Sequence, residues 1–225
     1  MTFRNVYGRM PEVLERLKAV GAKTAAIVDV GTWGHVKFER EAAKHDIQPL
    51  FGMEVPILTY TEEGEKGEFK PSAWMLAKDL RLFYQATSAA VQNGGMTAGA
   101  FASLDGVLRF PGGALGLLPD EAFDYIDVNP SSLLLAAQGV KRHRETGKPL
   151  VLTGYNDMPS IEHVDYAYAW EVRDSAGVRT IEECWTMYET LKHVMTRDEF
   201  ESAWENAYKI EAELAGMKLN KDRKS

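Results

Sequence analysis

Cysteine is almost absent from this chain of 225 residues: Cys184 stands alone. That excludes an internal disulfide framework and any cysteine-rich zinc site, and it fits a reducing compartment. Positive charge is also short. Lys and Arg number 26 against 33 Asp and Glu, a formal net charge of −7. A protein that grips nucleic acid unaided needs a basic surface, because phosphate contacts and counterion release supply the affinity. Strong nucleic-acid binding by this chain alone is therefore not expected. No apolar run reaches the roughly 18 residues of a membrane-spanning helix. The opening MTFRNVYGRM lacks the apolar centre of a signal peptide, so a cytoplasmic location is expected. Several catalytic signatures are missing too. There is no GxxxxGKS/T loop, no GxGxxG behind a strand, no GxSxG elbow and no HExxH.

What is present is enough apolar side chain, 45% of the residues, to build a core and to argue against disorder. In PEVLERLKAVG, Val13, Leu14, Leu17 and Val20 share one helical face, with Pro11 in the first turn and Gly21 at the stop. KTAAIVD reads as a short buried strand, KFEREAAKH as a helix and IQPLFGMEVPI as a second extended segment. The Glu- and Gly-rich stretch from Thr59 to Ser72 reads as a loop or hairpin excursion. SAWMLAK is a strand. DLRLFYQATSAAVQ is a helix with Leu80, Phe83, Tyr84 and Thr87 on one side. AGAFASL and ALGLL are weaker strand candidates, with a turn at Pro111, Gly112 and Gly113 between them. YIDV is a strand, SLLLAAQGVKRHRETG a helix, and PLVLTGYND the last clear strand.

After Asp157 the pattern turns helical. IEHVDYAYAWEVR is aromatic-rich, and two further helices open on capping boxes, Thr180 with Glu183 and Thr196 with Glu199. The last helix repeats Phe200, Ala203, Trp204, Ala207, Ile210 and Leu214 at helical spacing. Short strands alternating with helices predict a mostly parallel sheet, either a small β/α barrel or a doubly wound sheet.

The candidate chemistry lies in carboxylates. Asp29, Glu54 and Asp157 each follow an apolar strand run. In a β/α barrel such positions converge on one mouth, where three acids could hold Mg²⁺ or Mn²⁺. Strand-end acids also serve, more commonly, as caps and turn residues. The histidines, His35, His45, His143, His163 and His193, lie in or near predicted helices without metal-ligand spacing. Surface or packing roles are expected for them.

The stretch from Tyr7 to Val55 resembles the N-terminal half of the PHP (polymerase and histidinol phosphatase) domain, in the form attached to bacterial DNA polymerase III alpha subunits. The shared features are Val20-Gly21, the strand end Val28-Asp29-Val30, Gly34, Phe38 with Ala42-Ala43, and Ile47-x-Pro49-x-x-Gly52-x-Glu54. WMLAKDLRLFYQATSAA, PLVLTGYNDMPS and ENAYKIEAELAGMKL are similar to later segments of that family. The resemblance implies a distorted (β/α)7 TIM-like barrel over about residues 1–175, with extra C-terminal helices over about 176–225, in a single domain. It also implies a metal centre of zinc, manganese or iron held mostly by histidines.

The departures from the family are as informative as the matches. The opening His-x-His has no counterpart, the histidine of Asp-His is Val30, and the final Asp-x-His reads Asp157-Met158-Pro159. Only Glu54 and Asp157 keep a coordinating side chain at ligand positions; Asp29 matches a supporting acid. Ligand number and softness decide whether a transition ion stays bound, so no cofactor is expected. The resemblance then implies a catalytically inactive subunit of a replicase, cellular or phage-encoded, that contacts the DNA polymerase catalytic subunit, the proofreading exonuclease, or both. The aromatics Tyr166, Tyr168, Trp170, Trp185, Tyr188, Trp204 and Tyr208 suit either interface hot spots or packing of the terminal helices. The alternative is a metal-dependent phosphoesterase or 3′–5′ exonuclease using Asp29, Glu54 and Asp157, with His35 added, and Mn, Zn or Mg. A third reading keeps a small-molecule pocket lined by Trp33, Met53 and Met158.

Overall fold

Helix α1 (Met10–Ala19) forms on the face the spacing predicts, burying Met10 and Leu14. Gly21, at φ 85°, lets the chain turn back into β1 (Thr24–Asp29). The computed structural model describes residues 10–60, 67, 70–130, 132–153, 156–158, 176–177 and 181–219. Within them β1 is followed by α2 (His35–Lys44), β2 (Gln48–Pro56), β3 (Ser72–Ala77), α3 (Leu80–Asn93), α4 (Ala98–Ala102) and β4 (Val107–Phe110). Then come β5 (Ile126–Val128), α5 (Leu133–Thr146), β6 (Leu150–Leu152), β7 (Asn156–Met158), β8 (Ala176–Gly177), α6 (Ile181–Leu191) and α7 (Arg197–Leu214).

The expected barrel is corrected. The first four strands form one mixed sheet in the order β1-β2-β3-β4, β5 and β6 form a separate pair, and so do β7 and β8. No closed barrel exists among the described residues. The physical reason is direction. β1 and β2 run parallel through the α2 crossover, but the excursion before Ser72 returns β3 antiparallel to β2, and β4 is antiparallel to β3. A mostly parallel sheet is therefore not what these strands make. Helix α7 packs against one face of this sheet. Ile210 and Leu214 of α7 cluster with Leu50, Leu76, Leu108, Phe110 and Val151.

Period-two alternation splits β2 between the two faces. Phe51, Met53 and Val55 join Ile27, Phe38, Ala42, Met75 and Phe83 in the larger core, under α2 and α3. Leu50 turns to the α7 side. Gly52 does too, and it has no room for more: a Cβ there would lie 2.7 Å from Leu76 Cδ2 and 2.8 Å from the Met75 carbonyl oxygen.

Two weak strand readings fail. AGAFASL holds helix α4, started by Thr97, whose hydroxyl accepts from the Ala100 N–H. ALGLL begins on the last residue of a 3-10 turn over Gly112–Ala114 and holds no strand. The strand in this region is the short VLRF of β4 instead. The Thr196–Glu199 capping box forms as expected; Thr180 and the IEHVDYAYAWEVR stretch lie outside the described residues.

Candidate functional site

Asp29 ends β1 in parallel register with Met53, one residue before Glu54 along β2. Register-paired residues of parallel strands share a face, so Asp29 projects with Met53 toward α2 and α3. Its carboxylate lies 3.7 Å from where a Cβ on Gly34 would sit, just before α2. Glu54 pairs with Trp74 across the antiparallel β2–β3 ladder and projects with it to the α7 side. The two acids that the sequence places at neighbouring strand ends thus leave the sheet on opposite faces. Asp157 lies in β7, beside β8; its side chain is outside the described residues.

His35 is no spare ligand. It is 1% exposed, packed between Phe51 and Phe83. Its Nε2 lies 3.1 Å from the Gly52 carbonyl oxygen. A carbonyl only accepts, so Nε2 carries the proton and Nδ1 accepts from the Tyr84 hydroxyl at 2.8 Å. Burial holds the imidazole pKa down to about 4, although the Gly52 hydrogen bond works the other way. Burial also pushes the Tyr84 hydroxyl up to about 12. Both ring nitrogens are committed in a neutral tautomer, and coordination would sacrifice one of these bonds.

The donor set does not fit the multi-metal centre that the resemblance implies. Transition-metal sites gather several imidazoles or thiolates within bonding reach of one ion. Here the acids diverge and the nearby histidine is occupied. Among the described residues no group of three His, Cys, Asp or Glu could hold a metal ion.

A cavity of about 440 Å³ opens mainly on the α7 face, between β6, α7 and the sheet, and reaches round the β1 edge to α1, Ile27, Asp29 and Phe38. Glu54, Ser72, Trp74, Asp127, Asn129 and Thr153 bring polar groups to a wall otherwise made by apolar residues such as Leu76, Phe110 and Ile210. Trp74 stacks on Phe110, ring centroids 3.7 Å apart and planes 4° from parallel. Asp127 Oδ1 accepts the Gly112 N–H at 2.9 Å, and the Trp74 side chain bonds the same carboxyl. Burial pushes the Asp127 pKa up; the Gly112 and Trp74 hydrogen bonds oppose that shift. Gly112 can present its N–H because it adopts φ 51°, and a Cβ there would meet the Ser72 carbonyl oxygen at 2.7 Å.

Sequence reasoning missed Asp127, Trp74 and Asn129. One signal was available: in YIDV an acid sits between Ile126 and Val128, both buried, and so points to the opposite side of its strand. Among the described residues Trp33 and Met53 do not share the pocket expected around Trp33, Met53 and Met158. Trp33 is 71% exposed, Met53 is buried in the α2–α3 core, and the Met158 side chain lies outside the described residues. Of the aromatic residues on the terminal helices, three pack together. Trp185, Tyr188 and Trp204 gather around Phe200, while Tyr208 is exposed. Tyr166, Tyr168 and Trp170 lie outside the described residues.

Fold and site together define a mixed α/β domain with a cavity against its sheet whose described lining residues include acids and no Lys, Arg or His. No family model matches the chain, and no curated protein matches it. No helix among the described residues is long and apolar enough to cross a membrane.

Proposed function

We propose that this chain is a non-catalytic, metal-free relative of replicase PHP domains that works by protein contact in a DNA polymerase III-type replicase. Its partner is the polymerase catalytic subunit, the proofreading exonuclease, or both. The observation that carries this reading is the divergence of Asp29 and Glu54 to opposite faces of the sheet. Paired metals clamp a phosphate, and one metal lowers the pKa of a bound water, only where ligands converge. Acids without a metal repel a phosphodiester's own charge.

Contact is supported by apolar side chains left in solvent. Val30, Trp33 and Val36 are exposed on the connection from β1 into α2, and Leu133, Leu134 and Leu135 at the start of α5. Clustered exposure of this kind marks interaction surfaces. Val30 occupies the position where the resembled family carries a histidine.

Affinity capture of the chain from its native source, read by mass spectrometry, tests the proposal. Enrichment of polymerase or exonuclease peptides that falls when Trp33 and Leu134 are both changed to Ser is the expected result. The competing phosphoesterase reading gains if the purified protein releases phosphate from a generic ester, or nucleotides from single-stranded DNA, with manganese. Loss of that activity in Asp157→Ala would then overturn the non-catalytic reading.

A further inference from the structure

We infer that the cavity on the α7 face binds an organic cation, an ammonium or guanidinium group carried on an apolar stem. The inference does not depend on the replicase reading. At about 440 Å³ the cavity falls within the range of small-ligand sites. Its chemistry is one-sided. Glu54 and Asp127 bring carboxylates to the α7 side of the lining, Asp29 borders the cavity only at the β1 edge, and among the described lining residues there is no Lys, Arg or His. Asp127 is held in place by Gly112 and Trp74. The Glu54 carboxylate is half-buried and, among the described residues, accepts no hydrogen bond and joins no ion pair. A half-buried carboxylate without a partner keeps its acceptor capacity free for a cationic donor, and partial burial strengthens that pairing.

The remaining walls suit the stem. Leu76, Phe110 and Ile210 are apolar, and the Trp74 indole, stacked on Phe110, is the ring type that best attracts a cation. Other ligand classes fit less well. An anion meets carboxylates. A neutral apolar molecule leaves Glu54 uncompensated. A divalent ion wants several convergent oxygens, which the described residues do not provide. Two sources share the cationic chemistry, a free amphipathic amine and a Lys or Arg side chain of another protein.

The test is a titration of the full chain followed by NMR at the Trp74 indole N–H, assigned by its loss in Trp74→Phe. The probes are hexylammonium, hexanol, acetyl-Leu-Lys-Leu-amide and manganese chloride. Hexylammonium is expected to shift the resonance saturably and to bind at least about tenfold tighter than hexanol, with Glu54→Gln cutting that preference below about threefold. Asp127→Asn is a second variant for the same readout. Binding of the capped peptide as well as hexylammonium assigns the site to protein side chains; binding of hexylammonium alone assigns it to free amines. Equal binding of hexanol and hexylammonium overturns the inference, and so does a preference untouched by both variants. Broadening by manganese that hexylammonium does not relieve also overturns it, in favour of a metal.

Discussion

The two faces of the β1–β4 sheet solve the same packing problem differently. Under α2 and α3 the buried histidine is fully engaged: His35 donates to the Gly52 carbonyl and accepts from the Tyr84 hydroxyl, inside a shell of Phe51 and Phe83. Under α7 the packing is incomplete, with a cavity, an unengaged Glu54 and an Asp127 pinned by Gly112 and Trp74. One strand feeds both sides, since β2 sends Phe51, Met53 and Val55 one way and Leu50 and Glu54 the other. The difference teaches that a row of strand-end acids in a sequence says little about a site until the face of each is known. Period-two geometry divides Asp29 from Glu54 as firmly as it divides core from solvent.

Truncating the same residue type on each face is the largest way to sharpen the contrast. Phe51 and Phe110 are both 0% exposed. Phe51→Ala should cost about 4 kcal/mol, and Phe110→Ala about 3, because Phe110 already borders a void and loses fewer contacts. Urea unfolding midpoints measure both; a larger loss at Phe110 would erase the distinction between the faces.

The closed face should also respond to acid. The folded His35 has a pKa of about 4 against an ordinary 6.5. Below the ordinary value the unfolded chain takes up a proton that the folded chain refuses. Stability is therefore complete above about pH 6.5 and falls by roughly 1.4 kcal/mol per unit toward pH 4. His35→Gln should flatten that part of the pH profile, and an unchanged slope would place the titration elsewhere.

A smaller effect is expected where the faces meet. Gly52→Ala would bring a Cβ to 2.8 Å from the Met75 carbonyl oxygen and 2.9 Å from Val28 Cγ2. Backbone cannot yield as a side chain can, so a loss of about 2 kcal/mol is expected, measured by thermal unfolding. The smallest effect belongs to the open face. Glu54→Gln removes a charge that no described residue engages, so its stability should stay within about 0.5 kcal/mol of the parent. A clear destabilisation would reveal a partner for that carboxylate.

Much of the local structure was legible in the sequence. The Val13–Leu17 stripe, the Thr196 capping box and the apolar runs KTAAIVD and IQPLFGMEVPI each depend on near neighbours, and each gave the right element. The closed barrel was not right, because strand direction depends on how the excursion after Thr59 returns, and composition is silent on that. VLRF was missed because four residues give too little alternation beside the Gly- and Pro-rich turns around it. Asp29 and Glu54 were recognised as strand-end acids, but placing them together assumed a mouth that the mixed sheet does not build. For His35 the sequence leaves surface, packing and, in the phosphoesterase alternative, ligand roles open, and the structure buries it. Asp127 escaped because YIDV was read as a strand and not searched for chemistry.

The central claim is that divergent carboxylates and an engaged histidine cannot retain the ions that the resembled family uses. Elemental analysis of the protein, purified after incubation with manganese and zinc and exhaustively dialysed, tests it most directly. The account predicts less than about one ion per chain, unchanged by Glu54→Gln or Asp157→Ala. Two or more retained ions, lost on either substitution, would contradict it.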